Sequence, residues 1–295
     1  MGAKSVAELT PAEKLNFLLT NRLPRRWLTL FMGRFSKIEN PLVRTLSIRI
    51  WQMFVDDLRL HEAKKTQFSS LHDCFIRELK PDARVIDQNA AVLTSPCDAV
   101  VGEHGRVSSG RVLQAKGFPY SVGELLGNPA AAEALEGARF VTLRLKSSMY
   151  HRFHAPCDGR ITGLRYISGD TWNVNPIALK KVERLFCRNE RLILALEGSR
   201  SDTPTMIVAV AAILVASMRI HGLDERLNLE YAGANEIPFE REVRKGDELG
   251  YFEHGSTIVM FADARWSLAD QVSRGNIIRM GQPLLRRRVG DELQA

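Results

Sequence analysis

Between residues 11 and 62, apolar side chains recur at the three- and four-residue spacing of a helix. Leu15, Phe17, Leu18 and Leu19 lead into a basic cluster, Arg22-Leu23-Pro24-Arg25-Arg26-Trp27. After Pro41, a residue suited to the first turn of a helix, Val43, Leu46, Ile50, Phe54 and Leu58 fall along one face. From about Leu93 the period changes. Short β-type runs follow, punctuated by Gly, Pro and Asp: Val100-Val101, Arg139–Leu145, Arg160–Thr162, Arg191–Leu196, Met206–Met218, Ile258–Phe261 and Ile277–Met280. A helical interlude at Ser121–Leu126 and Pro129–Leu135 interrupts them. The pattern predicts an α+β protein. Its β-rich, barrel- or sandwich-like core spans 68–295, and amphipathic helices over 1–67 precede it.

At 295 residues with 45% hydrophobic content, the chain is long enough to bury a substantial core. Four cysteines, Cys74, Cys97, Cys157 and Cys187, lie far apart without C-x-x-C spacing. That argues against a disulfide framework or a zinc site and for a reducing compartment. The net charge of +7 is uneven, because residues 1–60 hold ten Lys/Arg against five Asp/Glu. No cleavable signal pattern opens the chain. The longest apolar run, Met206–Met218, is too short to span a bilayer and reads as buried strand. The basic amphipathic segment has two readings: a helical pair packed on its own domain, or an interfacial anchor with arginines at anionic headgroups. Nucleic acid ranks lower, since no repeated basic stripe or binding motif is present.

One internal echo bears on the architecture. Ser95-Pro96-Cys97-Asp98-Ala99-Val100-Val101-Gly102 is matched sixty residues later by Ala155-Pro156-Cys157-Asp158-Gly159-Arg160-Ile161-Thr162-Gly163. Two copies of a Pro-Cys-Asp turn opening a strand point to a duplicated β unit.

The candidate chemistry sits in Tyr251–Phe261, where Gly255-Ser256 separates two strand-like runs. Upstream, Lys245–Gly250 has the composition of a hairpin turn. Such a pair is often an ordinary turn. The functional reading has Ser256 Oγ attack the carbonyl of Gly255, which needs a bent backbone and a base for the hydroxyl proton. Seven histidines are present. His61, His72, His104 and His221 read as surface or packing residues, and His254 adjoins Ser256 without an evident orienting group. His151 and His154, in Ser147–Pro156, are the interesting pair. Without a further Cys, His or acidic cluster beside them, no metal site is predicted. A neutral imidazole serving as base needs a carboxylate to fix its tautomer. Asp98 is suitable if the two Pro-Cys-Asp copies pack side by side.

Several motifs then occur in order: Ser95-Pro96-Cys97-Asp98, Leu113-Gln114-Ala115-Lys116-Gly117, Tyr150–Pro156, Gly169-Asp170 with Val174-Asn175, Leu185–Arg191, Gly255-Ser256-Thr257 and Gly281-Gln282-Pro283-Leu284. Together they resemble the phosphatidylserine decarboxylase proenzyme family of the long bacterial type, from about Phe68 to Leu285. The resemblance implies self-cleavage between Gly255 and Ser256, giving a chain of residues 1–255 and one of 256–295 that remain together as a heterodimer. It implies that Ser256 becomes a covalent pyruvoyl group forming a Schiff base with phosphatidylserine, which is decarboxylated to phosphatidylethanolamine and CO₂. Asp98 and His154 would relay the proton from Ser256, and His151 would be the proton donor in decarboxylation. The resemblance also implies an anionic membrane surface as partner, a peripheral position on the cytoplasmic face of the cell membrane and no nucleic acid; a homo-oligomer is compatible with it. The sequence departs from the family at His254, at Ala99 after Asp98, and in the alanines of Val208–Ser217. None removes a residue that the mechanism requires. Two other classes compete: a non-enzymatic lipid-binding β-barrel module, and a serine hydrolase using Ser256, His154 and Asp98. The hydrolase lacks a G-x-S-x-G elbow.

Overall fold

The computed structural model describes residue 10 and residues 24–115, 118–198, 204–214, 217–253 and 256–287. His254, Gly255, Lys116, Gly117 and the apolar positions Leu15 to Leu19 lie outside the described residues.

Two helices open the described chain, α1 (Arg25–Phe35) and α2 (Pro41–Phe54). The start of α2 is specified locally. Asn40 Oδ1 accepts from the backbone N–H of Leu42 at 3.0 Å and of Val43 at 3.3 Å, and Pro41 occupies the first helical turn. No residue of α2 is buried.

The core is an antiparallel sheet of nine strands. In chain order they are β1 (Ala99–Arg106), β2 (Arg139–Leu145), β3 (Gly159–Ile167), β4 (Arg191–Gly198) and β5 (Thr205–Ala211). Then come β6 (Glu236–Ile237), β7 (Arg241–Val243), β8 (Ser256–Ala262) and β9 (Ile277–Ile278). Their spatial order is β6-β3-β4-β5-β8-β2-β1-β9, with β7 also on β3. Strand β8 lies in the middle with all seven residues buried, so both faces of the sheet are covered. Ile258, Met260 and Ala262 enter one core, while Val259 and Phe261 enter the other, as the two-residue period requires. Strands β1 and β3, opened by the two Pro-Cys-Asp turns, each sit second from an end of the eight-strand path.

The expected α+β class and β-rich core are found, but the described strands do not close into a barrel. The large sheet ends in β6 and β9, strands of two residues each. Alternation is common to barrels and open sheets; closure depends on tilt and stagger bringing two edges together, which alternation does not encode. A second sheet of four strands has the order Leu227–Asn228, Ser217–Ile220, Glu248–Phe252, Arg152–His154.

Two expectations are corrected at this second sheet. The run Met206–Met218 is not one strand: β5 ends at Ala211, and Ser217–Ile220 pairs in the smaller sheet. Leu214, between them, has φ +70°, which no continuous strand accommodates. Nor does Lys245–Gly250 make a hairpin. Gly246 supplies the positive φ of the turn (+88°), but β7 pairs with β3 and Glu248–Phe252 pairs with Arg152–His154. Turn composition specifies a reversal; the partner of each flanking strand is a long-range choice.

Candidate active site

Two of the chain's passages between the two sheets join strands that are paired at both ends. One crossing runs from Ala211 to Ser217, the other from Phe252 to Ser256. They are held together at both ends: Ser256 pairs with Ala211 in the large sheet, and Met218 with Phe252 in the small one. Glu253 N–H also donates to Ser217 O at 3.1 Å. Ser256 is the first residue of β8, opposite Leu145 of β2 on its other side. Its Oγ is buried and has no hydrogen-bond partner among the described residues. Buried hydroxyls rarely go unpaired, and one that does calls for an explanation.

Ser256 lines a cavity of about 730 Å³ between the helical pair and the large sheet. Met32, Phe35, Ile50, Trp51 and Phe54 of the helices form one wall. Opposite them lie Arg144 to Ser148, Asn173 to Asn175, and Ala212 to Leu214. Phe75 belongs to the lining too, brought there by a short helix, Leu71–Phe75, whose N-cap Ser70 Oγ accepts from Asp73 N–H at 3.1 Å.

His154 lies on the strand beside the one that leads into Gly255-Ser256, in register with Glu248. Its Nδ1 is 2.8 Å from the carbonyl oxygen of Gly246 and its Nε2 is 2.9 Å from Tyr150 Oη. A carbonyl only accepts, so Nδ1 carries the proton and the Nε2 lone pair accepts from the Tyr150 hydroxyl. Burial lowers the His154 pKa from its ordinary value and raises that of Tyr150, so the imidazole is held neutral and the phenol remains a donor. His151, also buried, sets its Nδ1 2.8 Å from Met149 O and packs its ring 4.1 Å from that of Phe75.

The two Pro-Cys-Asp segments do lie side by side. Thr94 N–H donates to Pro156 O at 3.0 Å, and His154 N–H to Pro96 O at 2.8 Å. The Asp98 carboxylate, however, is bonded to Arg84 through both oxygens, and its Oδ1 accepts from Met280 N–H at 2.9 Å. Arg84 also pairs with Glu62 at 2.9 Å. Burial alone would lower the Arg84 pKa, but these carboxylates hold it raised. The carbonyl of Gly246 thus fixes the His154 tautomer, while Asp98 acts on the imidazole as a nearby negative charge that favours its protonated form. Arg84 and the Gly246 carbonyl carried no signal in the sequence. Tyr150 stood inside a recognised motif without a role.

A further link ties the helical pair to the crossing. Glu253 is ion-paired with Arg226 and with Lys37, the latter at 3.5 Å, in the turn after α1. Burial alone would raise this carboxyl; the Ser217 hydrogen bond and the flanking cations bring it down to about 2.

Residues 71–286 match the family model described as phosphatidylserine decarboxylase. A phosphatidylserine decarboxylase proenzyme of Shewanella sp. (strain W3-18-1) is 33% identical over 290 residues, covering 92% of this chain and 96% of the relative. The proenzyme of Vibrio cholerae serotype O1 is 33% identical over 285 residues, covering 92% and 98%. That of Anaeromyxobacter sp. (strain K) is 38% identical over 223 residues, covering 74% and 78%. With this match over most of its length, the chain belongs to the phosphatidylserine decarboxylase family.

Proposed function

We propose that the chain cleaves itself between Gly255 and Ser256 and then converts phosphatidylserine to phosphatidylethanolamine and CO₂. The observation that carries this reading is the buried, unpartnered Ser256 Oγ at the edge of an apolar cavity. In the cleavage, Ser256 Oγ bonds to the carbonyl carbon of Gly255 while the peptide C–N bond breaks, leaving an ester and a free Ser256 amine. Loss of the Ser256 Cα proton and cleavage of the Cβ–O bond release Gly255 as a carboxylate. The resulting dehydroalanine takes up one water, loses ammonia and becomes a pyruvoyl cap. His154 is the base for the hydroxyl proton: it is neutral, and its Nε2 lone pair becomes available once the Tyr150 hydroxyl turns away. Asp98 favours the imidazolium that forms.

The residues fit such a group. Hydrogen-bonded neighbours on both sides of β8 fix the chain at Ser256, which lines a mostly apolar cavity. They also hold the 256–295 fragment in the middle of the sheet, so the two pieces stay together. Once formed, the ketone supplies an electron sink that captures the substrate amine and accepts the electron pair released with CO₂. His151 donates the proton to the substrate carbon; Met149 O and Phe75 fix its ring.

The helical pair of the 1–67 segment serves as the membrane-facing part, with 68–295 as the catalytic domain. Trp27, Phe31, Leu42, Leu46, Met53 and Phe54 are exposed on it, and Ile50 and Phe54 also line the cavity. Among the described residues no helix is long and apolar enough to cross a membrane. We infer that α1 and α2 lie in the interface on the cytoplasmic face, so that a lipid passes from the bilayer along their apolar side to Ser256.

Mass spectrometry of the purified chain tests the proposal. The expected result is a 255-residue and a 40-residue fragment, the latter without a free N-terminal amine. A single intact polypeptide of 33.2 kDa, inert toward phosphatidylserine, would overturn it.

A further inference from the structure

The cavity beside Ser256 has one cationic lining residue, Arg144, that no group among the described residues satisfies. Arg144, in β2, is half-buried and has neither a hydrogen bond nor an ion pair among the described residues. More deeply buried arginines are all engaged. Arg77 holds the carbonyls of Leu58 and Ser148, Arg84 holds Asp98, Arg152 holds Ile76 O and Glu248, and Arg191 holds Leu125 O. Lys146, the other cation of the lining, is paired with Asp56 at 2.7 Å. Burial with no counter-charge lowers the Arg144 pKa. Two buried threonines lie on the same sheet face as Arg144, behind the cavity lining. Arg144 pairs across the ladder with Thr257, so the two share a sheet face with Thr142, two residues earlier in β2. Thr142 Oγ1 and Thr257 Oγ1 are both buried without a hydrogen-bond partner. A guanidinium that lines the cavity with no counter-charge among the described residues is placed to receive an anion there.

We propose that Arg144 binds the phosphodiester of the lipid substrate and thereby sets the headgroup against residue 256. This rests on the decarboxylase reading above. Arg144 pairs with Thr257, the residue after Ser256, and Arg144 and Ser256 both line the cavity, so a headgroup in the cavity reaches both positions. The substrate carries two anions, and the chemistry chooses between them. The carboxylate leaves as neutral CO₂, so a cation held on it would stabilise the reactant more than the transition state. The phosphodiester keeps its charge throughout; a guanidinium there binds both states alike and acts on KM. The planar fork of arginine matches two phosphate oxygens, which an ammonium does not.

The test measures KM and kcat of the processed protein with short-chain phosphatidylserine in detergent micelles. R144Q is expected to raise KM about tenfold to a hundredfold, the loss of a charge-assisted contact, with kcat held within about threefold. R144K should recover part of the KM. An unchanged KM, or a loss confined to kcat, overturns the proposal; the latter would put the guanidinium on the reacting carboxylate. Should R144Q not fold or process, competition on the wild type decides. Short-chain phosphatidylcholine, which has the diester but no primary amine, should inhibit competitively where dihexanoylglycerol does not. Equal inhibition by dihexanoylglycerol removes the diester from the argument, and equal inhibition by inorganic phosphate assigns the site to a free anion. A wild type that cleaves itself yet releases no CO₂ from phosphatidylserine sinks the decarboxylase reading along with this one, and is thereby distinguished from an active enzyme whose KM ignores Arg144.

Discussion

Helix α2 and strand β8 are both rich in large apolar side chains, yet they end in opposite surroundings. All seven residues of β8 are buried, whereas in α2 none is, and Leu42 and Phe54 are each 80% exposed. The strand gains its cover from the chain itself, through β5 and β2 alongside and a core on each face. The helix has an apolar side that no described residue covers, next to a cavity that leads to Ser256. Hydrophobic periodicity records that a face leaves water. What receives it, protein or lipid, depends on the surroundings.

The sharpest way to break this comparison is to separate the chemistry of β8 from its packing. Ser256→Ala removes one oxygen that makes no hydrogen bond to the protein. It should leave the fold intact and abolish cleavage, seen as a single band on a denaturing gel. Any conversion to two fragments would show that another nucleophile cuts the chain.

His154→Ala should also stall conversion, because it removes the base. Asp98→Asn is expected to slow it for two reasons: it removes the charge that favours the imidazolium and leaves Arg84 with Glu62 alone. The latter effect costs stability on the order of 3 kcal/mol. Rescue of cleavage in D98N at higher pH, with unchanged stability, would contradict both parts.

Packing is then compared directly. Ile258→Ala in β8 should cost about 2–5 kcal/mol, while Leu46→Ala in α2, at 61% exposure, should stay within about 0.5 kcal/mol. Urea midpoints on the uncut S256A background measure both. Replacing Leu42 and Phe54 by Asp should in turn abolish sedimentation with anionic vesicles at unchanged urea midpoint. Full retention on vesicles would assign the exposed face to something other than lipid.

The smallest effect concerns a polar group inside the covered region. Glu190 is buried behind β5, where its backbone carbonyl accepts from Ala211 N–H, the residue paired with Ser256. Burial pushes its carboxyl up to about 7. A folded-state value raised above the unfolded one favours the protonated form. Its contribution is therefore fully present below about pH 4.5 and fades as pH rises through 7. Glu190→Gln should flatten that slope and be the more stable protein at pH 8 by about 1–3 kcal/mol. Parallel pH–stability curves for the two would rule out this carboxyl as the source.

Much of the fold could be read from residue order. Arg139–Leu145 is a strand with the expected limits, and the β-type run Ile258–Phe261 lies within β8. Pro41 marked a helix start because its ring fixes φ and its missing N–H is no loss there. The candidate residues Ser256, His151 and His154 stood out in the sequence because they lie within a motif or carry a distinctive side chain, and their roles belong to the proposal above. Arg84, Glu253, Arg144 and the Gly246 carbonyl did not. Each matters through what it meets across long stretches of chain, and a carbonyl looks alike at every residue.

By itself the sequence determined the family, the β-rich core and the helical start. These follow from local propensity, side-chain period and residue type, which are properties of the chain at each point. Only the tertiary structure decided that Met206–Met218 splits between two sheets, that Asp98 is bonded to Arg84, and that Arg144 stands at the cavity without an anion. Those outcomes depend on which of several chemically suitable partners arrives in space, and pairing at long separation is settled by the packing of the whole fold.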